Sequence, residues 1–170
     1  SAIGVNRISI GVQSFDDATL ARMGRRHDAQ AASAAVKRAQ DAGFENTGID
    51  LIAGLPGVSP ALWQETLEHA MSLSLKHHSV YALTLEPGTP LAVQVAAGLE
   101  LPDDEAQLAA LTQAERALAQ TGFTRYEISN YALPGFECRH NLAVWRGHDY
   151  LGLGPAAASR IGRSRWTNSE

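Results

Sequence analysis

Three polar residues are expected at or near the carboxyl ends of apolar stretches that predict strands. Gln13 closes an alternating apolar stretch, Asp50 is flanked by apolar neighbours, and Thr84 lies near the end of a third apolar stretch. In α/β barrels and open parallel sheets, ligands bind where the carboxyl ends of the strands and the following loops converge. We therefore expect these three side chains to lie at one edge of the sheet, around a shared ligand.

Asp50 is the most informative of the three. A carboxylate between Ile49 and Leu51 is costly to bury unless it accepts hydrogen bonds. The two adjacent hydroxyls of a sugar diol can both donate to one carboxylate, which makes Asp50 a candidate ligand-binding acid. A strand-end cap or a salt bridge to Arg25 is the structural alternative, and the pattern alone leaves both readings open.

A basic segment, Arg25-Arg26-His27, follows a predicted short helical turn that begins after Asp16 and Asp17. A guanidinium group there could bind a carboxylate in a bidentate manner. A solvent-exposed basic turn would have the same composition.

A third region brings together a thiol, an imidazole and an indole, in Cys138, His140 and Trp145. Imidazole or thiolate can ligate haem iron, and a nearby aromatic ring can pack on a porphyrin. A helix start with a buried tryptophan would look the same. The six histidines include no HExxH motif, which disfavours a zinc hydrolase.

Apolar patterning predicts the scaffold that would position these residues. It predicts strands over residues 7–13, 48–57 and 79–85, with helices over residues 28–40 and 59–74 between them. Alternating strands and helices at a spacing of about 35 residues are typical of right-handed βαβ units with a parallel sheet. A further helix, from Asp103 to Gly122, and a strand, from Arg125 to Tyr131, are predicted before a region rich in turns.

Composition excludes several classes of protein. With 170 residues, 45% of them apolar and 19% charged, neither disorder nor a coiled coil is expected. A net charge of −4 argues against a nucleic-acid partner. The single cysteine, the lack of a signal peptide and the lack of a membrane-length apolar stretch predict a soluble, cytoplasmic protein. Because the chain starts at Ser1 and enters a strand pattern almost at once, we expect it to be a fragment of a longer protein.

Five sequence blocks together resemble a known family. The set resembles the radical S-adenosylmethionine proteins of the HemW and HemN group, with HemW the closer match. The blocks are GVNRISIGVQSF with RRH downstream (4–15 and 25–27), IDLIAGLPG (49–57), SVYALTLEPGTP (79–90), YEISNYALPGFECRHN (126–141) and YLGLGPAA (150–157).

The resemblance implies an α/β fold. Residues 1–100 would form the second half of a partial (β/α)6 radical S-adenosylmethionine barrel, and residues 101–170 the start of the family's α+β C-terminal region. In that family a [4Fe–4S] cluster is held by a CxxxCxxC motif upstream, with one iron open to S-adenosylmethionine. This chain has no such motif, so the cluster ligands are expected outside it, and Cys138 is not a substitute.

The resemblance also implies roles for residues at matching positions. Gln13 would contact S-adenosylmethionine, Arg25 would pair with its methionine carboxylate, and Asp50 would hold its ribose hydroxyls. Thr84 would lie on the adenine side, and Tyr126 would reach the same ligand through its backbone.

The segment HNLAVW resembles the HNxxYW motif that the HemW group is thought to use in haem binding. This implies that His140, Asn141 and Trp145 bind haem, with His140 as the iron ligand. Val144 replaces the tyrosine of the motif, and Ala158 stands where many relatives carry histidine.

The leading functional hypothesis from the resemblance is a haem chaperone that binds haem and transfers it to acceptor haemoproteins. The alternative is oxygen-independent coproporphyrinogen III oxidation in porphyrin biosynthesis, so whether the protein is an enzyme stays open. A plain α/β domain without these ligands is the third hypothesis. Weak association with a membrane surface is a further expectation, and the sequence predicts no oligomeric state.

Overall fold

The computed structural model describes residues 4–169, which form two compact units that divide after Phe136. The first unit contains β1 (Arg7–Gln13), α1 (Asp17–Arg22), α2 (Ala29–Asp41), β2 (Asn46–Ala53), α3 (Pro60–Ser72), β3 (His77–Ala82), α4 (Pro90–Ala96), α5 (Asp104–Gln120), β4 (Thr124–Arg125) and β5 (Asn130–Ala132). The second contains α6 (Arg139–Trp145), β6 (Ala158–Ile161) and β7 (Ser164–Thr167). The predicted boundary between the barrel and the C-terminal region, at residue 100, is defined by similarity to the family. The division into compact units does not test it, and it stays a prediction.

The sheet of the first unit has the strand order β1-β2-β3-β5-β4. β1 pairs with β2 and β2 with β3 in parallel, as the βαβ pattern predicted, whereas β5 is antiparallel to both β3 and β4. The predicted mixed α/β class with a parallel sheet is therefore confirmed. In the second unit β6 and β7 form an antiparallel hairpin.

The single strand predicted from Arg125 to Tyr131 is wrong. The chain reverses there between β4 and β5, because the Glu127 carboxylate accepts hydrogen bonds from the backbone N–H groups of Ile128 and Ser129. This local side-chain bonding competes with an extended conformation. The result is two short paired strands instead of one.

Side-chain oxygens define where the helices begin. Asp28, Ser59 and Asp103 each accept a hydrogen bond from the backbone N–H three residues later, at 2.7, 3.2 and 2.8 Å. These N-caps satisfy backbone donors that the first turn leaves unpaired. Thr89 caps α4 in the same way, with Pro90 at the first helical position, in a segment for which the sequence predicted no helix.

The two faces of the parallel strands differ in character. Ile49, Leu51 and Val80 are buried on the face that packs against the helices. Asp50 and Tyr81 belong to the opposite, more open face, as the period-2 alternation of a strand requires. The Asp50 carboxylate and the Tyr81 ring therefore lie on the face of the sheet away from the apolar core.

Two adjacent histidines of β3 are buried without full hydrogen bonding. His78 packs edge-on against Phe123, with ring centroids 4.7 Å apart, and neither of its ring nitrogens has a partner among the described residues. The Nε2 atom of His77 shares a 2.8 Å hydrogen bond with the Tyr126 hydroxyl. Burial lowers the pKa of His78 to about 4, and burial with nearby Arg7 lowers that of His77 to about 3.

These lowered pKa values predict acid sensitivity. In the unfolded chain each histidine takes up a proton near its ordinary pKa of 6.5. In the folded chain His78 stays neutral down to about pH 4 and His77 down to about pH 3. Stability is then fully present above pH 6.5 and falls as the pH decreases, by up to about 1.4 kcal/mol per pH unit for each histidine. Urea unfolding followed by circular dichroism at several pH values measures this slope.

His78→Leu should reduce that slope by about one proton and leave stability at pH 7 nearly unchanged, because the His78 ring makes no hydrogen bond that leucine would lose. Gln120→Leu, at an exposed position at the end of α5, changes no titratable group and is the control that should keep the wild-type slope. A His78→Leu variant with the wild-type pH dependence would contradict this account.

Candidate functional site

Four of the residues implied by the resemblance line one cavity of about 580 Å³. They are Gln13, Arg25, Asp50 and Thr84. The cavity lies beside the C-terminal part of the parallel strands, and its size is in the range of about 300–1,000 Å³ that small-molecule sites occupy. The remaining lining residues are Met23, Ile52, Tyr81, Ala82, Leu83, Glu86, Thr89, Pro90 and Leu91.

Asp50 lies in the interior of β2, not at its end, in register with Gly11 and Ser79. The Ser9 hydroxyl donates a 2.9 Å hydrogen bond to its Oδ1 atom. No salt bridge joins Asp50 to Arg25, so the ion pair considered above as a structural alternative is not observed. Within residues 4–169, the Oδ2 atom has no hydrogen-bond donor, which leaves this oxygen open to a ligand.

Gln13 has a backbone conformation that is rare for a residue with a side chain. Its φ is 71°, and the pairing of β1 with β2 shifts register between Gly11 and Gln13. A Cβ atom on Gly11 would lie 2.9 Å from the side-chain Nε2 atom of Gln13, so glycine makes room for this side chain. Strained backbone of this kind costs about 1–3 kcal/mol and is concentrated at functional sites.

The His27 ring helps to hold this end of β1. Its Nε2–H donates to the Val12 carbonyl oxygen at 3.1 Å, immediately before Gln13. The same carbonyl accepts the backbone N–H of Ser14. His27 therefore joins the basic segment to the strand end, a positioning role that the sequence did not predict.

Arg25 reaches the cavity through the turn that ends α1. Gly24 adopts a left-handed conformation with φ of 69°, and the Arg25 N–H bonds back to the Leu20 carbonyl at 2.9 Å. This is a Schellman motif, with Arg25 at the position after the glycine. The guanidinium is exposed and makes no ion pair in the described part of the chain, so it is available to an anionic ligand.

The loop after β3 completes the cavity. β3 ends at Ala82 rather than near Leu85, so Thr84 belongs to the loop. Glu86 adds a second carboxylate that sequence reasoning missed. Tyr81 was missed as well, although its spacing of two from Ser79 puts it on the open face of the sheet.

Tyr126 is not among the residues that line this cavity. Its hydroxyl is bonded to His77, and its backbone N–H donates to the Asn130 carbonyl at 3.1 Å. A backbone contact from Tyr126 to S-adenosylmethionine stays a prediction.

The haem-binding candidates lie on α6, in the second unit. His140 lines a cavity of about 400 Å³, whereas Asn141 and Trp145 do not. Trp145 is 56% exposed, which contradicts the alternative of a buried tryptophan at a helix start. The other residues of this cavity are Arg139, Leu142, Ala143, Arg146 and His148.

The chain does not provide a cluster site. Cys138 is its single cysteine, and residues 4–169 contain no group of three or more His, Cys, Asp or Glu side chains suited to a metal ion. A [4Fe–4S] cluster needs several thiolates, so the residues present do not fit it. None of the helices described is both long and apolar enough to cross a membrane.

The chain is similar to known proteins of one superfamily. Residues 1–70 match the model of the Radical SAM superfamily. The heme chaperone HemW of Escherichia coli strain K12 is 42% identical over 158 residues, which cover 93% of this chain and 41% of that protein. The Mycobacterium tuberculosis H37Rv protein of the same name is 40% identical over 168 residues, covering 98% of this chain and 43% of that protein.

Two further proteins extend this similarity. A zebrafish (Danio rerio) mitochondrial protein, radical S-adenosyl methionine domain-containing protein 1, is 42% identical over 93% of this chain and 36% of its own length. The solved structure of coproporphyrinogen III oxidase (HemN) from Escherichia coli superposes with a TM-score of 0.81 at 28% identity, covering 99% of this chain and 42% of that one.

The chain spans less than half the length of these relatives. The superfamily match covers residues 1–70, whereas the similarity to HemW proteins and the structural likeness to HemN extend over nearly the whole chain. The chain thus belongs to the radical SAM superfamily, in the group that contains HemW and HemN.

Proposed function

We propose that this chain is part of a cytoplasmic haem chaperone, which binds haem and transfers it to acceptor haemoproteins with the support of S-adenosylmethionine and a [4Fe–4S] cluster. The observation that carries the cofactor part is the cavity shared by Gln13, Arg25, Asp50 and Thr84. The similarity to proteins named heme chaperone supports the haem part.

The chemistry of the cavity fits S-adenosylmethionine. The methionine carboxylate would pair with the unpartnered guanidinium of Arg25, and the ribose hydroxyls would donate to Asp50, whose Oδ1 the Ser9 hydroxyl holds in place. The Gln13 amide and the Thr84 hydroxyl add neutral hydrogen-bonding groups. When bound, S-adenosylmethionine and the cluster supply radical chemistry, while this chain binds and orients the nucleoside and the amino acid.

The cluster itself would be held elsewhere in the protein, since Cys138 is the single thiol of the chain. On the haem side, His140 is exposed on α6 and would offer an imidazole nitrogen to iron. Asn141 and Trp145 would belong to the same haem-binding segment, as the HNxxYW resemblance implies.

Coproporphyrinogen III oxidation is the second candidate function. The structural likeness to the Escherichia coli oxidase, with a TM-score of 0.81 over 99% of this chain, favours it. Both functions use the same cavity for S-adenosylmethionine, so the fate of the porphyrin distinguishes them. In either function the chain handles a tetrapyrrole that carries propionate side chains.

Asp50→Asn should weaken S-adenosylmethionine binding by about tenfold to 100-fold, because an amide replaces charge-assisted hydrogen bonds that are each worth about 1.5–3 kcal/mol. Ser9→Ala should weaken it by less than about tenfold, since it removes only the group that orients Asp50. Calorimetric titration of the intact protein measures both. Asp41→Asn, on the exposed end of α2, is the matched control, and equal affinities for all variants would exclude Asp50 from the site.

His140→Ala should weaken haem binding to the intact protein by at least about tenfold, because it removes an imidazole that ligates the iron. Titration with haem followed at the Soret band measures this, with His69→Ala as the control. Unchanged binding in His140→Ala would place the iron ligand on another residue.

Anaerobic incubation with coproporphyrinogen III, S-adenosylmethionine and a reductant separates the two functions. A chaperone should leave the substrate unchanged, as checked by chromatography of the tetrapyrroles. Formation of protoporphyrinogen would contradict the chaperone proposal and favour the oxidase.

A further inference from the structure

Five helices of the chain end with the same backbone turn. In α1, α2, α4, α5 and α6, a glycine in the left-handed conformation follows the helix, and the N–H of the next residue bonds back to a carbonyl of the last turn. These next residues are Arg25, Phe44, Leu99, Phe123 and His148, and they bond to Leu20, Ala39, Gln94, Leu118 and Ala143.

The residue at this position normally makes an apolar contact with the helix that it follows. Phe44, Leu99 and Phe123 are the apolar residues that such a contact requires. Arg25 and His148 differ, because their side chains end in a guanidinium and an imidazole. Arg25 lines the cavity proposed for S-adenosylmethionine, so a polar residue at this position of the turn can line a cavity in this chain.

His148 occupies the equivalent position after α6. Gly147 has a φ of 75°, its N–H bonds to the Val144 carbonyl at 3.0 Å, and the His148 N–H bonds to the Ala143 carbonyl at 2.9 Å. The Arg160 guanidinium also donates to the Gly147 carbonyl, which further fixes the turn. His148 is thereby folded back to line the same cavity of about 400 Å³ as His140.

One face of α6 supplies the rest of this cavity. Arg139, Leu142, Ala143 and Arg146 follow the spacing i, i+3, i+4, i+7, which puts them on one side of a helix. Neither arginine makes an ion pair among the residues that the structure describes. The cavity thus combines two imidazoles, two apolar side chains and two guanidinium groups without acidic partners.

We propose that this cavity is the haem-binding site and that His148 is a second ligand of the haem iron beside His140. Arg139 and Arg146 would bind the two propionates of the haem. The inference rests on the proposed haem-binding function and deepens it. Imidazole nitrogens ligate iron, guanidinium forks match carboxylates, and the apolar side chains contact the porphyrin ring. Asn141 and Trp145 do not line this cavity, so their contribution to haem binding would come from its edge.

The iron-ligand part is tested by the spin state of ferric haem on the intact protein, measured by absorption and electron paramagnetic resonance. The wild type should be six-coordinate and low-spin, and His148→Ala should be high-spin. Added imidazole should return His148→Ala to the low-spin form, and His69→Ala should match the wild type. A low-spin His148→Ala complex without added imidazole would overturn the inference.

The propionate part is tested by comparing haem with its dimethyl ester. The double variant Arg139→Gln/Arg146→Gln should bind haem at least tenfold more weakly and the ester as well as the wild type does. Arg163→Gln/Arg165→Gln, a matched loss of two charges in the same unit, should bind both as the wild type does. An equal loss for both ligands in the first double variant would overturn the propionate assignment.

Different results would overturn the haem-binding function and the assignment of His148, Arg139 and Arg146. Absence of haem binding by the wild type would overturn the haem-binding function and this inference with it. Haem binding that depends on His140 but not on His148, Arg139 or Arg146 would overturn this inference alone.

Discussion

The parallel register of β1, β2 and β3 is the constraint on which the candidate site depends. Gly11, Asp50 and Ser79 lie side by side across the three strands, so the carboxylate projects from the open face while Ile49 and Leu51 enter the core. A slip of one residue would bury the carboxylate and expose its apolar neighbours, because successive side chains point to opposite faces. Burial of the apolar face therefore also fixes the side on which a ligand can bind.

The turns at the helix ends provide the second positioning device. A left-handed glycine brings the following residue back toward its own helix, and the chain uses this turn both for apolar contacts and for polar groups that line cavities. The rigidity of the turn matters because the backbone of Arg25 is already ordered, so only its side chain loses conformational freedom when a ligand binds. The same argument applies to His148 after α6.

Much of this arrangement could be predicted from the sequence, because it depends on local signals. Asp28, Ser59 and Asp103 mark helix starts, and the alternation around Asp50 shows which face it occupies. The convergence of Gln13, Asp50 and Thr84 follows from the parallel topology that these signals imply.

The features that sequence reasoning missed depend on contacts between distant residues or on competing local bonds. The interior position of Asp50 in β2 depends on how far the pairing with β3 extends. The Glu127 carboxylate divides one expected strand into two, and the burial of His78 depends on Phe123, which is distant in sequence. The pattern of apolar residues contains none of this information.

A crystal structure of the intact protein with S-adenosylmethionine would show whether Asp50 and Arg25 bind this ligand. We expect the ribose hydroxyls to contact Asp50 and the methionine carboxylate to contact Arg25, with Gln13 and Thr84 also against the ligand. Binding of the nucleoside away from Asp50, or of the carboxylate away from Arg25, would contradict it.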